Sequence, residues 1–340
     1  MYEPNFNYTQ DIVNNLIKIE SAKEIINNAK IIPSYDLLLK NKAIIETTYN
    51  STSIEGNILN LKQVENLYNS NQKINNISKS EKEVLNYFEV LKNFDKYIEI
   101  YPNFSKDLIL SFHKDISKGL LNNPGEFRES RVVIGNLKTG KLNFVPPDFN
   151  KVSFLVDNLI HWLNQENNLS PVLISGISHY ELVRIHPFID GNGRTSRAFS
   201  TYILYFRGFD FKKYFTLDEF YNTDREKYYS ALRSPDKTND LTEWLEYFTT
   251  GFLQSIEKIK KEILHLSKIT NKFNNKLELS EKEIIILDYI DENESIKNKE
   301  IQELFNISSQ SSHNYLSKLI KKGLIKSVGI GRNTHYILEK

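Results

Sequence analysis

The chain has 340 residues, 40% of them hydrophobic and 26% charged, values that are ordinary for a globular protein. Its net charge of +1 argues against a protein that coats nucleic acid over its whole surface, although local basic patches stay open. Cysteine is absent, which excludes disulfides, thiolate nucleophiles and cysteine-bound metals and fits a reducing, cytoplasmic location. Neither a secretory signal nor an apolar run of about 18 residues is visible, so no membrane association is expected.

Helical periodicity dominates the first half of the chain. Apolar residues recur on helix faces within residues 11–29. Residues 80–100 predict a long helix that opens with a capping box, in which Ser80 is followed three residues later by Glu83. The same periodicity predicts helices over residues 105–117 and 150–165.

One region reads differently from the helices around it. Residues 131–147, RVVIGNLKTGKLNFVPP, carry β-branched runs on both sides of Thr139-Gly140 and end in a Pro-Pro pair. We predict a short β-hairpin there.

Two helices flank the most unusual stretch of the sequence. Residues 171–185 are apolar and begin with Pro171, a residue favoured in the first helical turn. A second helix is expected over residues 196–208, ended by Gly208.

The end of the chain predicts a separate small domain. Residues 255–273 have the pattern of a charged connecting helix, and from Leu279 onward three helical segments precede two strands. Three helices and a two-stranded wing in about 60 residues are typical of a winged helix-turn-helix.

Residues 186–197, HPFIDGNGRTSR, concentrate the chemistry of the chain. Because the preceding helix is apolar and buried, His186 should emerge at its end, and the next helix should begin near Thr195. Gly191-Asn192-Gly193 then lies at a helix N-terminus, where free N–H groups and the helix dipole bind anions. Glycine also lets the backbone turn sharply and approach a ligand closely.

The charged residues of this stretch point to a phosphate pocket. Arg194 and Arg197 are three residues apart, so both guanidinium groups should flank the same helix start. Asp190 is unsuited to face phosphate directly but suits a divalent cation, Mg²⁺ above all. His186 has an ordinary pKa that allows proton transfer near neutral pH.

Each of these residues also has an ordinary structural explanation. A lone histidine at a helix end is usually a cap or a core hydrogen-bonding group, and a lone Gly-Asn-Gly is usually a turn. Chance coincidence of the whole set is negligible, because at average residue usage each position matches about once in twenty. The positions are His186, Pro187, Phe188, Gly191, Asn192, Gly193, Arg194 and Arg197.

HPFIDGNGRTSR resembles the signature of the Fic family, H-P-F-x-[D/E]-G-N-G-R-x-x-R, and matches it at every specified position. The resemblance implies a mostly α-helical Fic fold, in which the hairpin corresponds to a flap, and an enzyme that transfers AMP from ATP to a hydroxyl of a target protein. The residue spacing alone would allow any nucleotide-phosphate chemistry.

The resemblance also assigns roles within the motif. His186 would be the general base that takes the proton from a Tyr, Ser or Thr hydroxyl of the target. Phe188 would anchor the loop in the core, and Asp190 would bind Mg²⁺ at the α- and β-phosphates. The remaining residues would bind the nucleotide: Gly191, Asn192 and Gly193 cradle the phosphates, Asn192 reaches the α-phosphate, Arg194 holds the β-phosphate and Arg197 the γ-phosphate.

Two further segments resemble parts of the family. Residues 124–135 and 143–147 resemble the segment ahead of the motif, whose flap could grip a target strand; an ordinary surface hairpin is the alternative. Residues 224–232, DREKYYSAL, resemble the segment that lines the adenine pocket. Tyr228 and Tyr229 are therefore candidates for contacts with the base, although buried core aromatics would give the same pattern.

Residues 51–56, STSIEG, match the [S/T]-x-x-x-E-[G/N] pattern of the family's inhibitory helix, with Ser51, Glu55 and Gly56 at its key positions. The pattern is weak alone and gains weight beside a complete motif. The resemblance implies that Glu55 pairs with Arg197 and occupies the guanidinium needed for the γ-phosphate. It also raises a second role, in which Glu55 orients a water that removes AMP from a modified target.

The predicted organisation has four regions: a helical region with the inhibitory motif over 1–99, a Fic core over 100–255, a linker helix over 256–278 and a winged helix-turn-helix over 279–340. The resemblance leaves a homodimer open.

The rival function is a DNA-binding transcriptional regulator acting through residues 279–340, where one helix presents polar residues and lysines. Acidic and basic residues are equal in number from Ser280 onward, which weakens that alternative.

Overall fold

The structure is a computed structural model that describes residues 2–31, 33–70, 77–136, 141–209, 213–214, 216–272 and 279–339. The fold is mostly α-helical, as predicted, and the described residues form two small antiparallel sheets. The chain divides into two compact units. The motif unit comprises Met1–Asn27 and Asn41–Ile259, and the C-terminal unit comprises Asn28–Lys40 and Lys260–Lys340.

In the described ranges, thirteen α-helices precede residue 279. They are α1 (Gln10–Asn28), α2 (Pro33–Ile54), α3 (Leu61–Asn69), α4 (Lys79–Lys92), α5 (Phe94–Ile100), α6 (Lys106–Ile116), α7 (Val152–Gln165), α8 (Pro171–Ile185), α9 (Asn192–Phe206), α10 (Asp218–Thr223), α11 (Arg225–Arg233), α12 (Pro235–Thr238) and α13 (Thr242–Lys272).

The start and end of α4 differ from the prediction. Its capping box consists of Ser78, whose hydroxyl accepts from the Glu81 N–H at 3.2 Å, and Glu81, whose carboxylate accepts from the Ser78 N–H at 2.8 Å. The predicted box of Ser80 and Glu83 is therefore wrong. The predicted single helix over residues 80–100 is also interrupted, because Asn93 separates α4 from α5.

The core of the motif unit is built around α8 and α9. α8 packs on α7 and α9, and α9 also contacts α4, α5 and α6. α8 begins with Pro171 in its first turn, as predicted, and its Gly176 carbonyl accepts a hydrogen bond from the Trp244 indole at 2.8 Å. This packing makes α8 and α9 a fixed frame for the residues that connect them.

The hairpin predicted from residues 131–147 is present. Strands β1 (Ile134–Asn136) and β2 (Lys141–Phe144) pair antiparallel, with Ile134 opposite Phe144. The predicted Thr139-Gly140 turn lies outside the described residues. Residues 255–272 are helical, but they continue α13 from Thr242 and are not a separate connecting helix.

The C-terminal unit contains the predicted three helices and two-stranded wing. They are α14 (Glu281–Asn293), α15 (Asn298–Phe305), α16 (Ser309–Lys321), β3 (Ile325–Val328) and β4 (His335–Leu338), with Ile325 opposite Leu338. A left-handed Asn306 and the N-cap Ser308 form the turn between α15 and α16. Across the described residues, no helix combines the length and the apolarity that crossing a bilayer requires.

Gly251 in α13 provides a stability test of this packing. A Cβ at this position would lie 2.2 Å from Cδ1 of Phe220, so the ring must move if the glycine is replaced. We expect Gly251→Ala to lower the free energy of unfolding by about 1–3 kcal/mol, despite the better helix propensity of alanine. Chemical denaturation measures it. The same substitution in a Phe220→Leu background should cost less, and a more stable Ala variant would contradict the contact.

Candidate active site

The motif loop begins where α8 ends. His186 caps α8 with a left-handed backbone at φ 51° and ψ 60°, and its N–H donates to the Leu182 carbonyl at 3.1 Å. This conformation is uncommon for a residue with a side chain, although histidine adopts it more readily than most residues. It turns the chain out of the helix and places the imidazole on the wall of a cavity.

Phe188 and Asn192 hold the loop closed. Phe188 is fully buried, in agreement with the predicted anchoring role. The Asn192 amide donates to the Phe188 carbonyl at 2.9 Å and accepts from the Phe188 N–H at 2.9 Å. Its side chain is thus committed to the loop, and only one amide hydrogen is left for another partner. The predicted contact of Asn192 with the α-phosphate stays a prediction.

His113 supports the loop from below, a role that sequence reasoning missed. Its ring stacks on Phe188 with centroids 3.7 Å apart and planes 7° apart. Nδ1 accepts from the Gly125 N–H at 2.9 Å, so the ring proton lies on Nε2, which donates to the Asp190 carbonyl at 3.0 Å. Burial lowers the pKa of His113 to about 4, which keeps the ring neutral. A lone histidine in α6 gave no signal in the sequence.

Arg128 joins the loop to the hairpin and was also missed. Its Nε donates to the His186 carbonyl at 2.8 Å, while its terminal nitrogens donate to the carbonyls of Ser130 and Pro147. The side chain is buried, and burial is the main influence that lowers its pKa from the usual value. The available signal was the segment around it, residues 124–135, but nothing local identified the carbonyls that it binds.

The structure brings half of the predicted site residues to one cavity. Its wall includes the catalytic candidate, the second glycine and second arginine of the motif, both tyrosines, the inhibitory glutamate and two hairpin residues. They are His186, Gly193, Arg197, Tyr228, Tyr229, Glu55, Ile134 and Phe144. Asp190, Gly191, Asn192 and Arg194 do not line it.

Tyr228 and Tyr229 were each predicted to contact the base or to be a core aromatic, and their environments differ. Tyr228 is a core residue: it is buried, stacks on Tyr221 with centroids 4.4 Å apart, and its hydroxyl bonds Nε2 of His179 at 2.9 Å. Tyr229 is 38% exposed and forms part of the cavity wall. Of the pair, Tyr229 therefore has the free ring surface that a nucleobase contact requires.

Arg194, the first arginine of the motif, does not line the cavity that Arg197 lines. Arg194 is buried, and its NH1 lies 3.4 Å from the Glu83 carboxylate on α4. Its Nε has no hydrogen-bond acceptor among the described residues. Both arginines lie in the first turns of α9, and the predicted contact of Arg194 with the β-phosphate stays a prediction.

Glu55 occupies the helix start where an anion was predicted. α9 begins at Asn192 rather than near Thr195, and Gly191 precedes it with φ 78°. The Glu55 carboxylate lies 2.8 Å from NH2 of Arg197. A Cβ on Gly193 would overlap Oε1 of Glu55, so a side chain there would displace this carboxylate. The charge arrangement is that of an anion bound at a helix N-terminus.

The segment that carries Glu55 is fixed on both sides. Ser51 accepts from Nε of Arg197 at 2.8 Å through its hydroxyl and from NH2 at 2.9 Å through its carbonyl. α2 ends at Ile54, and Gly56 turns the chain with φ 90°. Asn57, another residue missed in the sequence, then donates to the Glu83 carboxylate at 2.8 Å. Ser51, Glu55 and Gly56 thus all take part in placing the carboxylate on Arg197.

Asp218 is a second carboxylate on the same arginine and had no sequence signal. Its Oδ1 lies 3.2 Å from Nε of Arg197, and both side chains are almost completely buried. Burial raises the pKa of Asp218 to about 6, against the lowering effect of Arg197. Burial alone would lower the pKa of Arg197, but Glu55, Tyr228 and Asp218 outweigh it and raise that pKa.

Burial also governs the His186 imidazole. Burial lowers the pKa of His186 from the usual 6.5, and the positive charge of Arg128 lowers it further. The Val183 carbonyl raises this pKa but does not cancel the effect of burial. Glu55 and Asp190 also raise the pKa of His186, but less than the Val183 carbonyl does. The neutral ring, which can accept a proton, is therefore favoured near neutral pH.

Asp190 is the residue that fits a cation. Its side chain is exposed, and one oxygen accepts from the Gly191 N–H at 2.6 Å. Mg²⁺ commonly binds one or two carboxylates and takes its other ligands from water and substrate phosphates. A single exposed carboxylate beside a helix start suits that mode. In the described part of the chain, the one cluster with metal-ligand spacing is His265, Asp288 and Glu292, in the C-terminal unit.

Comparison with known proteins identifies two segments. Residues 103–204 match the Fic/DOC family, and residues 279–326 match a winged helix-turn-helix DNA-binding family. Over 87 residues the chain is 44% identical to Protein adenylyltransferase Fic of Drosophila grimshawi, a stretch that is 25% of this chain and 17% of that protein. The chain thus spans about a sixth of the length of the curated relatives that it matches.

Solved structures share the fold. A Fic family protein from Desulfovibrio desulfuricans superimposes with a TM-score of 0.68 at 23% identity, covering 99% of this chain and 98% of that one. A Fic domain containing signaling protein from Bacteroides thetaiotaomicron gives a TM-score of 0.59 at 21% identity, covering 79% and 100%. Residues 103–204 and the loop that they contain are therefore a domain of the Fic/DOC family, followed in this chain by a winged helix-turn-helix.

Proposed function

We propose that the chain is a Mg²⁺-dependent protein adenylyltransferase that transfers AMP from ATP to a Tyr, Ser or Thr hydroxyl of a target protein and is self-inhibited by Glu55. One observation carries the proposal: a histidine poised for proton transfer and a helix start with a buried arginine line the same cavity. The printed names of the curated relatives, protein adenylyltransferases, support the reaction class.

The phosphate-binding end of the site is supported by two features. The Glu55 carboxylate is itself an anion at the N-terminus of α9, so it marks where a phosphate would bind. Arg194 is a buried guanidinium with an unfilled Nε, which an additional anion would satisfy. A triphosphate that displaced Glu55 would meet Arg197 in the same position.

The transfer step requires one base and firm positioning. Neutral His186 takes the proton from the target hydroxyl as that oxygen attacks the α-phosphorus of ATP. The bond from the α-phosphorus to the bridging oxygen breaks, and pyrophosphate leaves with the electron pair. The protein contributes alignment and charge neutralisation rather than a covalent intermediate. Arg128 and His113 serve this step by holding the loop that carries His186.

Asp190 is the residue that would hold Mg²⁺. When bound, the ion would neutralise negative charge on the α- and β-phosphates. The contribution of the chain is the orientation of this carboxylate, which accepts from the Gly191 N–H, while His113 holds the main-chain carbonyl of the same residue.

Self-inhibition follows from competition for one guanidinium. While Arg197 holds Glu55, it cannot hold a γ-phosphate in the same position. Removing one partner of a buried ion pair typically costs about 3–5 kcal/mol, enough to suppress binding in the transfer pose. A hydrolytic role of Glu55, removing AMP from a modified target, is a secondary hypothesis, consistent with its place in the same cavity as His186.

The hairpin is the proposed docking element for the target. Ile134 and Phe144 line the cavity together with His186. A target segment added to the edge of β1 or β2 would bring its hydroxyl to the imidazole. A homodimer and a cytoplasmic location stay predictions of the sequence.

Glu55→Gly is the direct test of the proposed function. Without the carboxylate, Arg197 is free for the triphosphate, and we expect self-labelling with ATP and Mg²⁺ to rise by about 10²-fold. Intact mass spectrometry measures it, with a gain of one AMP expected. A gain of one phosphate would instead indicate kinase-like transfer.

The matched control for this test is Glu294→Gly. Glu294 is an exposed residue of the C-terminal unit with φ 65°, where glycine fits without strain, so the control removes an acid away from the cavity. It should label like the wild type. Adding His186→Ala to Glu55→Gly should abolish the label. Equal labelling of Glu55→Gly and wild type would defeat the inhibitory role.

The lowered pKa of His186 predicts the pH dependence of transfer. A histidine whose pKa is depressed stays neutral to lower pH, so kcat/KM of the Glu55→Gly protein should hold steady from pH 8 to about 6.5 and fall below that. Asp218, with its pKa raised to about 6, titrates nearby, so ATP binding must be measured at each pH alongside the rate. An acidic midpoint above 6.5 would contradict the burial effect on the base.

A second candidate function is DNA binding by the C-terminal unit, favoured by the match of residues 279–326 to a DNA-binding family. α16 follows the turn as the second helix of a helix-turn-helix, the one that enters the major groove in such domains. Apart from Ile320, its exposed side chains are polar or basic: Ser309, Gln310, His313, Asn314, Ser317, Lys318 and Lys321.

A gel shift of the full chain at increasing salt tests this function. If α16 contacts phosphates, Lys318→Glu should weaken binding, and the slope of affinity against salt should fall by about one unit. Lys62→Glu, an exposed change on α3, is the control. Binding that ignores Lys318, or no binding at low salt, would exclude α16 as a DNA-reading helix.

A further inference from the structure

The Arg197 guanidinium is shared by two carboxylates that reach it from different elements. Glu55 lies 2.8 Å from NH2, and Asp218 lies 3.2 Å from Nε. The arginine is 2% exposed, so it depends on protein groups rather than water for its counter-charge. The inhibitory interpretation explains Glu55 and leaves Asp218 without a role.

The two carboxylates differ in whether a ligand could replace them. The Glu55 side chain is 33% exposed, follows the end of α2 and lines the cavity. Asp218 is the first residue of α10, has a side chain that is 3% exposed and does not line the cavity. A triphosphate entering the cavity can therefore displace Glu55, whereas Asp218 stays behind the arginine.

The difference between the two carboxylates matters because a buried cation is costly without a counter-charge. Once Glu55 leaves, and before phosphate arrives, Arg197 would be a buried charge with no carboxylate partner, a costly state, if Asp218 were absent. Such an arginine would turn toward water and lose its place beside Gly193. Ser51 alone offers it only neutral acceptors.

We propose that Asp218 is a positioning residue, which holds the Arg197 guanidinium at the N-terminus of α9 after Glu55 has been displaced. The assignment rests on the proposed function, since it concerns how Arg197 is presented to the triphosphate of ATP. Asp218 touches neither ATP nor the target hydroxyl; it acts through Arg197.

The experiment compares the wild type, Glu55→Gly, Asp218→Asn and the double variant. Steady-state labelling gives kcat and KM for ATP in the two chains that carry Glu55→Gly. Because Arg197 loses its remaining carboxylate, we expect Asp218→Asn to lower kcat/KM by about 10²-fold in that background, mainly through KM. Glu283→Gln, which removes a buried acid paired with Lys322 in the C-terminal unit, is the control and should leave KM unchanged.

Thermal unfolding, read without catalysis, provides the second measurement. The loss of melting temperature caused by Asp218→Asn should be larger in the Glu55→Gly background than with Glu55 present, because only there is Arg197 left without a carboxylate. Inorganic tripolyphosphate should recover part of that loss. Equal losses in both backgrounds, together with an unchanged KM, would overturn the proposal.

The two measurements separate this proposal from the proposed function. If Glu55→Gly gains no AMP, the adenylyltransferase function fails, while the thermal comparison still decides whether Asp218 holds Arg197. If the double variant does not fold, Asp218→Glu keeps the charge and moves the carboxylate by one methylene. It should then raise KM for ATP while the tripolyphosphate response persists; an unchanged KM would again count against Asp218.

Discussion

A single buried positive charge organises this protein's functional region. The guanidinium of Arg197 is almost completely removed from water, so every element near it must supply either a counter-charge or a hydrogen-bond acceptor. α2 supplies Ser51 and is followed by Glu55, while α10 supplies Asp218. Elements far apart in the chain therefore meet at one side chain, and the accessible part of this arrangement is also the part that a nucleotide would use.

The loop before α9 shows how a charged site is supported by side chains that bind its backbone. Three side chains hold its peptides in place: Asn192 clamps Phe188, His113 binds the Asp190 carbonyl, and Arg128 binds the His186 carbonyl. Such preorganisation means that little reorganisation is needed when substrate binds, the condition under which fixed dipoles are most effective in catalysis.

The sequence predicted those features that depend on residues close together in the chain. The motif, the two helices around it, the hairpin and the winged helix follow from short-range patterns. The predicted capping box was wrong because residues 78–83, SKSEKE, contain two overlapping Ser-x-x-Glu patterns. Glu83 is instead taken up by tertiary contacts with Arg194 and Asn57, which the local sequence does not show. Asp218 and His113 were missed for the same reason: Arg197, the partner of Asp218, and Asp190, which His113 binds 77 residues away, are distant in the sequence.

α2 has one further property, which comes from where its two ends belong. Its first turns, with Tyr35 and Leu39 buried, are part of the C-terminal unit, whereas its last turn carries Ser51 in the motif unit. A continuous helix behaves as a stiff strut, because stretching it would break its backbone hydrogen bonds. Substitutions in residues 33–40 would therefore alter the first turns of the same helix whose last turn contacts Arg197 through Ser51.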